Sequence, residues 1–263
     1  MNQLFSSEQD SRVLNLRKRL DLFYQKTEDY TAFHESNYLP EFWRPIRARA
    51  DEIVKQKGTC KILEFGAGCT GFSKYIQDIR NKVLFDVQDV TSQNVEYLST
   101  QANHVHICAP TEIEESYDII FSTFVWEHIT NPQAVLSHLI NILEPNGSIF
   151  IASPRYDFPF YMSPSIKHLS GLKRLKTGIW LIGKRLKVLL GGQPEFLIHL
   201  EPAVFYQSWF RDADAIHWVS IWDLKKVLPK TMSLKKFILS GKSLKQKLYF
   251  SFLLMFVELR KQD

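Results

Sequence analysis

A glycine-rich turn carries the clearest chemical signal in this sequence. It reads Glu64-Phe65-Gly66-Ala67-Gly68-Cys69-Thr70-Gly71 and lies between an apolar run, residues 61–65, and a predicted helix. Glycines allow such a turn to approach a ligand closely, and free N–H groups at the start of the following helix can bind it. The spacing also fits the G-x-G-x-x-G turn of dinucleotide-binding proteins, so the turn alone leaves the ligand open.

Two carboxylates narrow the choice of ligand. Glu64 would repel a pyrophosphate but suits a ligand that carries an ammonium and a sulfonium, such as S-adenosylmethionine. Asp89 lies 18 residues after Gly71, where an acid can accept hydrogen bonds from both hydroxyls of a ribose. Asp86 is the competing candidate. We favour Asp89 because the sequence that follows it indicates a strand end and then a helix start.

Three residues are candidate catalytic groups: His128, Asp214 and His217. His128 follows the fourth predicted strand, where that strand ends, and a histidine that caps or supports the next helix is the alternative. Asp214 and His217 belong to residues 199–218, a segment dense in carboxylates, histidines and tryptophans. This segment could supply a base or bind a polyhydroxylated substrate, or it could be a salt-bridged, tryptophan-packed subdomain. Its spacing matches no standard metal-ligand pattern, and no metal site is predicted.

Hydrophobic patterning predicts the elements that would position these residues. Strands are expected at 61–65, 82–88, 104–108, 117–122 and 148–152, with helices between them, including 71–80, 91–101 and 132–143. This alternation predicts an α/β fold: a Rossmann-like, doubly wound, mostly parallel sheet. Helices are also expected within residues 8–57, and a helix at 224–228 with a strand at 232–239 would return the chain to the sheet.

The chain divides into four predicted parts. Residues 1–57 form an N-terminal helical segment, and 58–154 form the cofactor-binding core. Residues 155–215 are an insertion or cap that faces the substrate, and 216–263 return to the sheet and end in a basic tail. Within the cap, residues 171–190 have the pattern of a cationic amphipathic helix. It could lie on an anionic membrane, cover the substrate pocket, or pack on its own domain.

An ordered set of motifs resembles the class I S-adenosylmethionine-dependent methyltransferases across residues 58–154. Besides the glycine turn, it includes the strand 117–122, the pair Glu127-His128 and the turn 143–148. The resemblance implies cofactor-binding roles for Glu64, Gly66, Ala67, Gly68, Gly71, Asp89, Ser122, Thr123 and Phe124. This chain departs from the family pattern at Asn146, which replaces a glycine. It also departs at residues 108–110, where the family usually has an acid beside the adenine.

Composition and charge indicate the cellular compartment of the protein and the charge of its partners. Three cysteines without a CxxC pair, and a start without an apolar signal peptide, predict a reduced, cytoplasmic protein. The longest apolar run, Leu248–Val257, is too short to span a membrane. The net charge of +5 is the sum of −5 for residues 1–132 and +10 for residues 133–263. An anionic partner would therefore meet the second half.

The predicted function is in-line methyl transfer from S-adenosylmethionine to a small molecule or glycan, for which a lipid-linked sugar is one candidate. The basic second half adds a possible peripheral contact with the inner membrane surface. An RNA methyltransferase is the alternative suggested by the same charge, and a non-catalytic methyltransferase-like binding module is the second alternative. The oligomeric state is left open.

Overall fold

The computed structural model describes residues 4–26, 39–158 and 160–262. Its strands are β1 (Phe5–Ser6), β2 (Cys60–Phe65), β3 (Val83–Asp89), β4 (Val105–Ile107), β5 (Tyr117–Thr123), β6 (Leu143–Pro154), β7 (Ile198–His199), β8 (Met232–Lys236) and β9 (Leu254–Lys261). Its α-helices are α1 (Ser11–Lys26), α2 (Leu39–Lys57), α3 (Phe72–Tyr75), α4 (Val95–Gln101), α5 (Pro132–Asn141), α6 (Gly171–Leu189), α7 (Ile221–Val227) and α8 (Leu244–Leu248).

A seven-stranded sheet forms the centre of the molecule, in the order β4-β3-β2-β5-β6-β9-β8. The five strands from β4 to β6 are parallel, whereas β9 runs antiparallel to both of its neighbours. Strands buried on both faces lack apolar–polar alternation, and β2 and β5 show this in their nearly continuous burial. The predicted α/β fold with a mostly parallel, Rossmann-like sheet is confirmed.

Apolar clusters cover both faces of this sheet. On one face, α2 and α4 contribute Ile46, Ile53 and Leu98. On the other, α5 and α7 contribute Leu139 and Leu224. Because both faces are covered, the edge formed by the carboxyl ends of the parallel strands is where a ligand can enter, as in other open α/β sheets.

Helix α1 packs away from the sheet. Its buried residues Val13, Leu16 and Leu20 share a cluster with residues between 198 and 216. The short strand β1 pairs antiparallel with β7 in the same region. The N-terminal segment is thus split: α2 supports the sheet, and α1 joins the part of the chain that follows β6. We call this combination of α1, β1 and residues 155–218 the cap.

Several elements differ from the sequence-based expectation. The predicted helix 71–80 is the four-residue α3 followed by a 3-10 turn, Gln77–Lys82. The C-terminal residues were expected to form a basic tail, but residues 254–261 form β9 inside the sheet. The apolar run Leu248–Val257 explains this placement, since β9 is buried from Leu254 to Leu259. A helix, α8, and a π-helical turn, Tyr249–Leu253, precede it and were not predicted.

Candidate functional site

The glycine turn connects β2 to α3 at the carboxyl edge of the sheet. Gly66 and Gly68 both have positive φ angles, 66° and 53°, which glycine adopts without strain. A Cβ atom at Gly66 would lie 2.5 Å from Cγ1 of Val125, so the turn has no room for a side chain there. The backbone of the turn, with Ala67, borders a cavity between the sheet and the cap.

Asp89 holds the turn in this shape and also borders the cavity. Its Oδ2 accepts a hydrogen bond from the N–H of Gly68 at 2.9 Å, and its Oδ1 accepts one from the N–H of Thr91 at 3.1 Å. Asp86 points elsewhere: its Oδ2 accepts the hydroxyl of Tyr117 at 3.1 Å. Of the two acids considered from the sequence, Asp89 is therefore the one beside the cavity.

Glu64 is a buried carboxyl group on the cavity wall. Burial raises its pKa to about 8, and a hydrogen bond with Thr70 offsets only part of that rise. Within the described structure its Oε2 has no hydrogen-bond partner. A buried polar atom without a partner costs stability, so this oxygen is available to a ligand that can donate a hydrogen bond or a positive charge.

The end of β5 supplies the next part of the cavity wall. Thr123 and Phe124 border the cavity, and Phe124 has a φ of 60°, which is uncommon for a bulky residue. Ser122 lies one position earlier, is buried, and does not border the cavity. Gly71 precedes α3 and faces the ring of Trp43 rather than the cavity. Two of the predicted cofactor-binding residues thus lie behind the cavity wall.

His128 and Asp214 meet across the cavity from different parts of the chain. Nδ1 of His128, in a 3-10 turn after β5, lies 3.1 Å from Oδ2 of Asp214 in the cap. The hydroxyl of Tyr24, on α1, donates to the same oxygen at 2.8 Å. Burial lowers the pKa of His128, but the nearby carboxylate of Asp214, together with Glu127, raises it to about 10. The result is an imidazolium–carboxylate pair at the cavity wall.

A second group of carboxyls lies next to this pair. Glu127, His128 and Asp212 each have an atom that could coordinate a metal ion, and these three atoms lie within 4.8 Å of one another. Burial raises the pKa of Glu127 to about 7; its Oε2 accepts the hydroxyl of Ser153 at 2.8 Å. Asp212 Oδ2 accepts the hydroxyl of Tyr156 at 2.6 Å. The sequence had suggested no metal pattern here because Asp212 comes from the cap, far along the chain.

His217 lies outside the cavity, contrary to its prediction as a catalytic candidate. Its Nδ1 is 3.0 Å from the carbonyl oxygen of Trp126, and its ring packs against Phe196 and Trp126. Burial lowers its pKa to about 3, so it is neutral at ordinary pH. It connects the cap to the 3-10 turn that carries His128.

Sequence reasoning missed several residues of the cavity wall. Tyr24 lies within the expected helical segment 8–57, and α1 brings it to Asp214. Trp209 and Arg211, from the cap, also border the cavity. The density of carboxylates and tryptophans in residues 199–218 was the available signal for the cap residues. For Tyr24 the sequence offered none, because its partner is 190 positions away.

Comparison with known proteins decides the family. A family model described as "Methyltransferase domain" matches residues 34–228, about three quarters of the chain. This chain belongs to that family. The match confirms the prediction of a class I S-adenosylmethionine-dependent methyltransferase, an enzyme, and replaces the alternative of a dinucleotide-binding protein.

Solved structures share the fold of this methyltransferase. The plantazolicin methyltransferase BpumL in complex with SAH aligns over 95% of this chain and 99% of that chain, at 13% identity and a TM-score of 0.54. The plantazolicin methyltransferase BamL, in complex with a triazolic desmethylPZN analog and SAH, aligns over 96% of this chain and 97% of that chain, at 12% identity and a TM-score of 0.55. At these identities the similarity concerns the fold.

A curated relative matches a short part of the methyltransferase. The mitochondrial ubiquinone biosynthesis O-methyltransferase of Dictyostelium discoideum is 32% identical over 77 residues. The aligned segment is 29% of this chain and 23% of that protein.

None of the helices in the described part of this chain combines the length and hydrophobicity needed to cross a membrane.

Proposed function

We propose that the cavity between the sheet and the cap binds S-adenosylmethionine at the glycine turn and a small-molecule or glycan acceptor beside His128. One observation carries this proposal: the glycine turn and the His128–Asp214 pair border the same cavity. Methyl transfer requires the donor and the acceptor atom to be held in line, and a base only where the acceptor must lose a proton.

The residues on the sheet side fit the cofactor. The unpartnered Oε2 of Glu64 suits the ammonium of the methionine moiety, and Asp89 suits the ribose hydroxyls. A side chain at Gly66 would meet Val125, so only glycine fits at this point of the turn. When bound, the cofactor supplies a methyl group on a positively charged sulfur. The protein's part is to position that group and to exclude water.

His128, as an imidazolium, is the proposed stabiliser of an ionised oxygen on the acceptor molecule. Because Nδ1 faces Asp214, Nε2 is the ring nitrogen left for the acceptor. An acceptor hydroxyl that loses its proton to solvent places its oxyanion next to protonated Nε2. Asp214 stabilises the positive ring, and the Tyr24 hydroxyl orients Asp214.

The cap side of the cavity favours a polar acceptor with several hydroxyls. Trp209, Arg211, Asp212 and Asp214 border it together. Carboxylates accept hydrogen bonds from hydroxyls, and an indole offers a flat apolar face to a ring. This combination supports a sugar or a polyhydroxylated aromatic compound.

The test begins with calorimetric titration of S-adenosylmethionine and of NAD, followed by radiolabelled methyl transfer to sugars, phenols, peptides and RNA. We expect micromolar binding of S-adenosylmethionine, weakened by Asp89→Asn. His128→Gln should retain that binding but lower kcat about 100-fold, because it removes the positive charge beside the ionised acceptor oxygen. Tyr24→Phe should lower kcat less. Equal transfer by wild type and His128→Gln would refute the role of His128, and RNA as the preferred acceptor would refute the acceptor class.

A further inference from the structure

Helix α6 exposes an apolar stripe to solvent. Its residues Leu172, Leu175, Ile179, Leu186 and Leu189 are each between 49% and 64% exposed. At 3.6 residues per turn these positions fall within an arc of about 100° on one side of the helix. A stripe of this width is normally buried against a core, so its exposure calls for a physical explanation.

The opposite side of α6 packs against the rest of the cap and against α7. Leu181 and Val188 are fully buried there. Arg185 is also buried; its Nη1 donates to Oδ2 of Asp223 at 2.6 Å, and its Nε lies 3.3 Å from Oδ2 of Asp157. Turning the stripe inward would expose this buried ion-pair group. The orientation of α6, with its leucines outward, is therefore built into the fold.

Cations border the apolar stripe along one side. Lys173 and Lys176 are exposed and occupy the neighbouring arc, and α6 itself contains no acidic residue. Lys187 lies in the same arc and pairs with Glu195 at 3.0 Å. Trp180 lies in the same arc, with Nζ of Lys184 above its ring at 5.4 Å. Exposed leucines beside lysines and a tryptophan form the pattern of a helix that lies flat in the headgroup region of a bilayer.

Phe160 extends the apolar surface beyond the helix. It is 68% exposed, and its ring lies 3.7 Å from the position of a Cβ on Gly178. Leu190, directly after α6, is 88% exposed. The exposed apolar surface thus runs along α6, extends to Phe160 beside the helix and continues to Leu190 at its end. A surface of this extent suits a plane better than a small ligand.

We propose that α6 with Phe160 and Leu190 docks the enzyme on the surface of a bilayer that contains anionic phospholipid. The charge pattern selects this occupant: the lysines complement anionic headgroups, whereas they would face each other across a symmetric contact with a second copy. The inference rests on this surface alone and does not depend on the acceptor proposed above. It would bring the cavity to acceptors that reside in a membrane.

The experiment is co-sedimentation of the full chain with phosphatidylcholine vesicles that contain 0 or about 30% phosphatidylglycerol. We expect binding only to the anionic vesicles, and weaker binding at about 0.5 M NaCl because salt screens exposed charges. Lys173→Gln with Lys176→Gln should weaken that binding about 25-fold, from about fivefold per cation. Ile179→Glu with Leu186→Glu should abolish it.

A matched control places the same substitutions on another exposed helix surface. Leu14→Glu with Leu22→Glu changes two leucines of α1 that are 64% and 54% exposed, and should leave vesicle binding unchanged. Calorimetric titration with S-adenosylmethionine checks that each variant is folded. Absence of wild-type binding, equal binding to both vesicle types, or equal loss in the α1 control would overturn the proposal. A dimer that the α6 variant dissociates, detected by light scattering, would also overturn it.

Discussion

Binding of S-adenosylmethionine should release a proton from Glu64. Burial raises the pKa of this carboxyl to about 8, so at pH 7 it is mostly protonated before the cofactor binds. An ammonium beside Oε2 would favour the ionised form and lower that pKa. The proton is then lost to solvent as the cofactor binds. Glu64→Gln removes this ionisation while nearly preserving the shape of the side chain.

The magnitude follows from the pKa. A carboxyl with a pKa of about 8 is about 90% protonated at pH 7, and an α-amino group with a pKa near 7.8 takes up about 0.15 proton when it binds in its charged form. The net release at pH 7 is therefore about 0.75 proton. Because the free protein's pKa is the higher one, affinity should rise with pH between about 6 and 7.5, by up to tenfold per unit.

Calorimetry in buffers of different ionisation enthalpy measures this release directly. The slope of observed enthalpy against buffer enthalpy should correspond to about 0.75 proton for wild type and vanish or change sign for Glu64→Gln, with about tenfold weaker binding from the lost charged hydrogen bond. Glu258→Gln, at another buried glutamate of the sheet, should behave as wild type. A wild-type slope near zero, or the same slope in Glu64→Gln, would refute the assignment of Glu64 to the ammonium.

Three further predictions concern packing and buried charge. Gly66→Ala should lose most cofactor binding, because its Cβ would meet Val125 at positive φ, and adding Val125→Ala should restore part of it in the same titration. Arg185→Met should lower the free energy of urea unfolding by about 3–5 kcal/mol, since it leaves buried carboxylates unpaired, whereas Lys187→Gln, in an exposed pair, should cost under about 1 kcal/mol. His217→Gln should leave kcat within a few-fold. It should also reduce the loss of stability at acid pH. In the folded wild type the pKa of His217 is lowered to about 3, so the unfolded state gains the proton first and is favoured as pH falls below about 6.5. If the urea midpoint of His217→Gln depends on pH between 7 and 5 as that of wild type does, this prediction is wrong.

The sheet and the cofactor side could be predicted from the sequence because their signals are local. The glycine turn, Asp89 and the apolar runs of β2 and β5 each lie within a few residues of the element they define. The same locality explains the errors. The buried run of β9 showed no period that distinguishes a strand from a tail with an apolar stretch, and α3 is shorter than its pattern because a 3-10 turn continues it.

The proposed acceptor side could not be predicted in the same way because it is assembled from distant segments. Asp214 was found only as one acid among several, and nothing in the sequence indicated that α1 would bring Tyr24 to it. His217 shared the polar, aromatic context of Asp214 but points into the core. Residue type and spacing identify a candidate group, whereas its exposure to the cavity depends on packing between the cap and the sheet.

The two sides of the cavity therefore have different physical origins. The cofactor side depends on backbone geometry at the carboxyl edge of a buried sheet. The acceptor side depends on the cap, whose contacts fix Asp214 against His128 while α6 directs its apolar stripe outward. Substitutions in the cap can thus change the acceptor, or the surface from which it is taken, without disturbing the glycine turn. Trp209→Ala should alter the preference among acceptors in the methyl-transfer assay while the affinity for S-adenosylmethionine stays within a few-fold of wild type. A matching loss of cofactor affinity would show that the two sides are one site.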